Sequence, residues 1–175
     1  MKILKIILFV FLGLIALILI LGLIAPREFG GKSEILINKP QQEVYEYIKF
    51  LKNQDNYGTW NQQDPNMKKN FTGTDGTIGF TYAWESDNNM VGDGKQTITN
   101  LVEGEKMESE LYFGDFEDPA KSVIQLTPKS SDQTLVKWEV TGKSPYPWNI
   151  MNLFFSMDDD FQKGLENLKR EVENN

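Results

Sequence analysis

The most constraining feature of the sequence is Ile6–Ala25, a run of twenty residues without a charge or a strong hydrogen-bonding side chain. At about 1.5 Å rise per residue, a helix of this length spans about 30 Å, the thickness of the hydrocarbon core of a bilayer. A core helix in a small domain would show a polar stripe, and this run has none. The run therefore predicts a transmembrane anchor over residues 1–25.

A cleaved signal peptide is the alternative interpretation of the same run. The apolar region of a signal peptide usually has about 7–15 residues and ends in small residues at the cleavage site. Here the run is longer, Leu23 stands where a small residue belongs, and Pro26 follows the run directly. These departures favour an uncleaved, single-pass anchor.

The orientation of the anchor is less strongly indicated. Lys2 and Lys5 precede the run, whereas Arg27, Lys32 and Lys39 follow it, so the positive-inside count is nearly a tie. Because single anchors with a short leader usually keep the leader inside, we expect an extracytoplasmic domain.

Composition excludes several classes of chemistry. The chain has no Cys and no His, so it can form neither a disulfide, nor a Cys/His zinc site, nor a catalytic relay that depends on a thiolate or an imidazole base. Its net charge of −7 disfavours binding to nucleic acid and docking to anionic lipid through a basic patch. We expect no cofactor.

Two acidic clusters raise the possibility of a calcium site. Asp158–Asp160 and Asp115–Asp118 both lack the alternating ligands, central Gly and terminal Glu of a calcium loop. We expect the first cluster to lie on a solvated helix face, and we predict no metal site.

The remainder of the chain predicts a linker over residues 26–32 and one domain over residues 33–175. Ser33–Ile37 is expected to be a strand, and the helix that follows has Pro40 in its first turn and apolar residues at helical spacing. Beyond this helix, apolar residues recur at every second position, which predicts six antiparallel strands. Their expected locations are Met67–Thr72, Ile78–Glu85, Val91–Val102, Met107–Phe113, Lys121–Thr127 and Leu135–Gly142.

A long amphipathic helix is predicted at the carboxyl end. Its apolar stripe is Ile150, Phe154, Met157, Phe161, Leu165, Leu168 and Val172. A run of strands without intervening helices, closed by such a helix, is typical of an α+β fold in which the helix packs on an antiparallel sheet.

This order resembles the helix-grip fold of the START-like (SRPBCC) superfamily, from residue 33 to about residue 172. The motifs that carry the resemblance are Ile35-Leu36-Ile37-Asn38-Lys39-Pro40 with Val44 and Tyr47-Ile48, Trp60 with Asp64-Pro65, the glycines Gly73, Gly76, Gly79, Gly92 and Gly94, and Leu135-Val136-Lys137-Trp138 with the final helix.

The resemblance implies a curved sheet of about seven strands that grips the last helix around an apolar cavity. Members bind hydrophobic ligands there, and some catalyse cyclisation or dehydration. An N-terminal anchor is a common addition in the bacterial polyketide cyclase-like branch.

Nine apolar or aromatic residues are the candidates for a ligand-binding wall. They are Phe80, Tyr82, Trp84, Leu111, Phe113, Val136, Trp138, Phe154 and Phe161. The same residues could instead fill the core, because any sheet packed on a helix needs such a face.

No catalytic residue is predicted. By strand alternation, Glu85, Glu108, Glu110 and Glu139 fall opposite the apolar positions and should face water. The favoured function is therefore a membrane-anchored domain that binds a small hydrophobic or lipid-like molecule. The alternatives are an enzyme of the cyclase or dehydratase type and an interaction module with a filled core.

Overall fold

The computed structural model describes residues 2–114 and 118–174, so most of the acidic cluster Asp115–Asp118 lies outside the described residues. The chain divides into two compact units. The first contains Met1–Phe29 and Lys143–Ser156, and the second contains Gly30–Gly142 and Met157–Asn175.

The first unit is built on helix α1, Lys2–Ile24. Within the described residues, α1 is the one helix long and apolar enough to cross a membrane, which agrees with the prediction from the apolar run. A short 3-10 helix, Trp148–Leu153, belongs to the same unit.

The second unit is dominated by a seven-stranded antiparallel sheet with the order β1-β7-β6-β5-β4-β3-β2. The strands are β1 (Glu28–Ile37), β2 (Lys68–Thr72), β3 (Thr81–Glu85), β4 (Gly94–Val102), β5 (Lys106–Phe113), β6 (Ala120–Ser130) and β7 (Gln133–Lys143). Among the described residues, four α-helices accompany them: α2 (Gln41–Ile48), α3 (Gln54–Tyr57), α4 (Thr59–Gln63) and α5 (Asp158–Asn174), with a 3-10 helix at Leu51–Asn53. The predicted α+β class and helix-grip order are confirmed.

The period of two explains which face of the sheet is buried. On β7, Val136, Trp138 and Val140 are buried, whereas Lys137 and Glu139 between them form an ion pair on the other face. Successive side chains of a strand point to opposite faces, so this pattern fixes the face that carries the core.

Helix α5 buries its apolar stripe in the second unit. Phe161, Leu165, Leu168 and Val172 are all buried, at the predicted spacing. Fully burying such side chains stabilises a fold by about 1.5–3 kcal/mol each. The helix passes close to the sheet at Gly164, where a Cβ atom would lie 3.0 Å from the ring of Trp138.

The predicted start of this helix was wrong. The stripe predicted a helix that included Ile150 and Phe154, but α5 begins at Asp158. Asp158, Asp159 and Asp160 form its first turn, where carboxylates interact favourably with the positive end of the helix dipole. The triple Asp therefore marks the helix start and does not lie within a longer helix.

Strand boundaries also differ from the prediction. β6 continues through Pro128, where the strand was expected to end, as far as Ser130. β1 begins at Glu28, within the segment expected to be a linker. β3 begins at Thr81 because Gly79, with φ +90°, takes part in the turn before it. β4 begins at Gly94 because the N–H groups of Val91 and Gly92 both donate to the carbonyl of Asn88, closing the turn predicted at that asparagine.

Candidate functional site

The second unit contains a partly open cavity of about 170 Å³. Its walls come from β3, β4, β5 and β7 on the sheet side and from α3, α4 and the start of α5 on the helix side. The lining residues are Gln54, Gly58, Trp60, Asn61, Met67, Tyr82, Trp84, Met90, Val91, Gln96, Leu111, Phe113, Trp138, Val140, Met157 and Phe161.

Six of the sixteen lining residues are aromatic, and those on the sheet share one face because alternate residues of a strand point the same way. On β3, the Tyr82 and Trp84 rings lie 5.9 Å apart between centroids. On the helix side, Phe161 meets Trp138 edge-on at 5.0 Å and Trp60 at 5.4 Å. Edge-to-face contacts at these distances are favourable and help to fix the rings that form the wall.

Six of the nine predicted wall residues line this cavity: Tyr82, Trp84, Leu111, Phe113, Trp138 and Phe161. Phe80 and Val136 are buried but are not among the lining residues; Phe80 instead stacks on Phe71 with their centroids 6.2 Å apart. Both residues were placed in the wall because strand alternation puts them on the core face of the sheet. Alternation does not tell which residues of that face border the cavity and which are covered by other side chains.

Phe154 is the clearest departure from the predicted wall. It lies in the first unit, beyond the 3-10 helix, and its side chain is 73% exposed. Its place in the predicted stripe depended on a helix that continued through residues 154–157, and α5 begins only at Asp158.

The polar part of the wall was not predicted. Gln54 and Asn61 come from the short helices α3 and α4, and Gln96 comes from β4. The segment around the two helices is polar in composition and too short for a periodic signal, so only Trp60 distinguished it in the sequence.

A polar cluster centred on Asp55 adjoins the cavity. Tyr82 donates its hydroxyl to Asp55 Oδ1 at 2.8 Å, and Asn61 Nδ2 donates to the same oxygen at 2.9 Å. Lys69 Nζ lies 2.9 Å from the other oxygen, Asp55 Oδ2. Of these four residues, Tyr82 and Asn61 line the cavity.

Burial and, second to it, the Asp55 carboxylate keep the Tyr82 hydroxyl protonated. Burial is the main cause that raises the pKa of the Tyr82 hydroxyl, and the hydrogen bond to the Asp55 carboxylate raises it further. A phenol with a raised pKa is a hydrogen-bond donor at neutral pH. Tyr82 therefore contributes a neutral polar group to the wall, beside the amides of Gln54, Asn61 and Gln96.

The side-chain amides of the other polar wall residues differ in their hydrogen bonds. Gln96 Nε2 donates to Ser109 Oγ at 2.8 Å, and both residues are buried. Gln54 Nε2 is buried and makes no hydrogen bond of standard geometry within the described residues, although Gln54 lies close enough to Tyr57 to affect the pKa of its hydroxyl. Gln54 therefore has unused hydrogen-bonding capacity at the wall.

The carboxylates considered in the sequence do not line the cavity. Glu108 lies between Lys106 and Lys121, at 2.7 and 3.4 Å, and the hydrogen bond from Lys106 is the main cause that lowers its pKa. The hydrogen bond from Lys137 likewise lowers the pKa of Glu139. These groups are ion-paired carboxylates at neutral pH.

No group of three acidic side chains that could hold a metal ion occurs within residues 2–114 and 118–174.

Comparison with known proteins gives a match in structure alone. No family model matches the sequence, and no curated protein matches it. The solved structure of norcoclaurine synthase from Thalictrum flavum superposes with a TM-score of 0.64 at 11% identity, over 84% of this chain and 95% of that one.

Bacterial proteins superpose as well. XoxI from Bacillus cereus has a TM-score of 0.56 at 16% identity, over 83% of this chain and 96% of its own. A protein from Chromobacterium violaceum has a TM-score of 0.54 at 16% identity, over 85% and 98%. The order of the strands, the final helix and these superpositions agree, and the chain has the helix-grip fold that the resemblance predicted.

Proposed function

We propose that this chain is a membrane-anchored START-like domain that binds a small hydrophobic or amphiphilic molecule in the cavity of its second unit. The observation that carries the proposal is the unfilled space of about 170 Å³ behind a wall of aromatic side chains. An engineered apolar cavity of about 150 Å³ in another protein stays dry and binds benzene. The volume therefore fits one aromatic ring or a short acyl segment.

The energetics favour a weak, reversible complex. A ligand that buries about 150–200 Å² of apolar surface gains about 4–5 kcal/mol at 25 cal/mol per Å². This gain corresponds to a Kd of about 0.2–1 mM. Hydrogen bonds to Asn61, Tyr82 or Gln54 would add affinity for a ligand with one polar end, which is why the proposal includes amphiphiles.

The membrane anchor supports the same function. A domain on the same chain as a membrane span is confined to the neighbourhood of the bilayer, where hydrophobic molecules concentrate. Helix α1 has the length and composition for this role. We expect a single-pass protein with its domain outside the cytoplasm.

An enzyme of the cyclase or dehydratase type is the second candidate, and the Asp55 cluster is the observation that favours it. One protein of this fold, norcoclaurine synthase, has been solved with dopamine and hydroxybenzaldehyde. Here, however, Asp55 already accepts from Tyr82 and Asn61 and pairs with Lys69, and the pKa of Tyr82 is raised. A carboxylate engaged in this way is poorly placed to take a proton from a ligand, so we favour binding without catalysis.

Quenching of tryptophan fluorescence tests the binding proposal. Three tryptophans line the cavity, and 4-bromophenol combines a ring of suitable size with a heavy-atom quencher and one polar group. With the full chain in phosphatidylcholine nanodiscs, we expect a component of quenching that saturates near millimolar 4-bromophenol. Partition of the quencher into lipid adds only a component that does not saturate.

Matched variants locate the binding site. Val140→Phe places a ring in the cavity, whereas Val123→Phe makes the same change at a half-buried position on the other face of the neighbouring strand. The saturable component should disappear in Val140→Phe and persist in Val123→Phe, with thermal unfolding confirming that both fold. Saturation that survives in Val140→Phe, or that is absent from the wild type, would contradict the proposal.

A further inference from the structure

A second feature of the chain is a stretch with no charged residue, which runs from Ser144 to Met157. Within the first unit, its residues Pro145–Phe155 are called here the apolar segment, and none of them lines the cavity. Six of its large side chains are exposed, by 41% to 73%: Tyr146, Trp148, Met151, Leu153, Phe154 and Phe155. Proteins in water rarely expose so many neighbouring apolar side chains without a partner.

The apolar segment is fastened to the carboxyl end of α1 by polar contacts. Asn149 Nδ2 donates to the carbonyl oxygens of Gly22 at 2.8 Å and Ala25 at 3.0 Å, and Tyr146 donates its hydroxyl to the carbonyl of Leu19 at 3.1 Å. The last carbonyls of a helix have no partner within the helix. Because the hydrocarbon core of a membrane supplies no donors either, the contacts from Asn149 satisfy carbonyl groups at and just beyond the helix end that would otherwise lack a partner.

Small residues of α1 allow this close contact. Gly22 is the buried residue of a helix whose side chains are exposed except at the half-buried Leu21, and Ala25 just beyond the helix is also buried. A Cβ atom at Gly22 would lie 3.0 Å from the Tyr146 ring and 3.4 Å from Pro147. Small residues at helix contacts within membranes serve the same purpose.

The location of these contacts identifies the partner of the exposed side chains. If α1 crosses the bilayer, residues 19–25 form the last turns before the chain leaves the hydrocarbon core, and the apolar segment is hydrogen-bonded along these turns up to the membrane boundary. Tryptophan and tyrosine are enriched at this level in membrane proteins, and the segment has both, with no charge that lipid would have to accommodate.

We infer that the apolar segment Pro145–Phe155 lies in the bilayer that α1 crosses, at the boundary between headgroups and acyl chains, as a second membrane contact of the chain. This inference rests on the proposed role of α1 as a membrane span. The occupant of the exposed surface is lipid, and the surface extends that of α1 itself.

Spin labelling tests the inference cleanly, because the chain has no native Cys. A nitroxide is attached to full-length Phe154→Cys in phosphatidylcholine vesicles, and its collisions with oxygen, which concentrates in lipid, are compared with those of a water-soluble nickel chelate. Ile78→Cys is the matched control, since Ile78 is a 63% exposed apolar residue of the second unit. We expect a several-fold higher ratio of oxygen to nickel collisions at position 154 than at position 78.

A third label separates failure of the inference from failure of the anchor. Leu12→Cys reports on the middle of α1. A lipid signal at position 12 with a water signal at position 154 would overturn the inference and leave the anchor intact. A water signal at both positions would overturn both. A label at position 154 that meets neither oxygen nor nickel would mean that protein covers the segment, and this too would overturn the inference.

Discussion

Tyr82 shows how one residue can belong to the wall and to the polar cluster at the same time. Its ring lines the cavity beside Trp84, while its hydroxyl donates to Asp55. The amphipathic shape of tyrosine permits both contacts, since the apolar body and the polar tip face different neighbours.

Tyr82→Phe keeps the ring and removes the hydroxyl. We expect it to lower the free energy of unfolding by about 1–2 kcal/mol, because the Asp55 carboxylate loses a buried hydrogen-bond donor. Chemical denaturation in a mild detergent measures the change. Tyr112→Phe is the control. Tyr112 is half-buried, and its hydroxyl makes only a long contact of 3.4 Å with Glu110, so its removal should cost little. Equal losses in both variants would contradict the assigned role of Tyr82.

Alkaline pH should also distinguish Tyr82. Burial raises its pKa, so its neutral form is stabilised by folding. That stability is fully present below about pH 10, the ordinary pKa of tyrosine, and is lost as the pH rises beyond it. Titration followed by phenolate absorbance should show fewer late-ionising phenols in Tyr82→Phe than in the wild type. An unchanged late phase would count against the burial of this hydroxyl.

At the scale of elements, the sequence predicted the faces of strands better than the ends of helices. Val136, Trp138 and Val140 could be assigned to one face because the period of a strand is fixed by the backbone. The start of α5 could not be found from apolar spacing, because the spacing of Ile150 and Phe154 continues that of the helix by coincidence. The decisive signal was the acidic first turn at Asp158.

Contact between α1 and the apolar segment yields a prediction at this scale. Gly22→Leu should displace the Tyr146 ring and break its hydrogen bond to Leu19, because no room exists for a side chain at position 22. Gly13→Leu is the matched control, since nothing lies within 4 Å of a Cβ atom there.

Both substitutions are combined with Phe154→Cys, and the mobility of a nitroxide attached there is read from its spectrum. We expect faster motion in Gly22→Leu and no change in Gly13→Leu. Identical spectra for the two variants would mean that the tight packing at Gly22 does not hold the segment in place.

At the scale of the whole molecule, the order of elements and much of the sheet side of the cavity were predictable, whereas the cavity's volume and its α3 and α4 side were not. A strand, a helix, six further strands and a final amphipathic helix indicated the fold, because few architectures can bury such a set of faces. The volume left between the faces depends on how closely the short helices α3 and α4 approach, and their polar sequence carries no periodic signal. Gln54 and Asn61 could therefore be assigned to the wall only from the structure.

The order of the sheet leaves β1 and β2 as its two outermost strands, and the chain between them contains α2, α3 and α4. This connection also supplies Gln54, Trp60 and Asn61 to the cavity, although neither β1 nor β2 is among the elements that line it. The segment that supplies these residues is therefore joined to both edges of the sheet. We expect a guest large enough to shift α3 or α4 to move the ends of β1 and β2 as well.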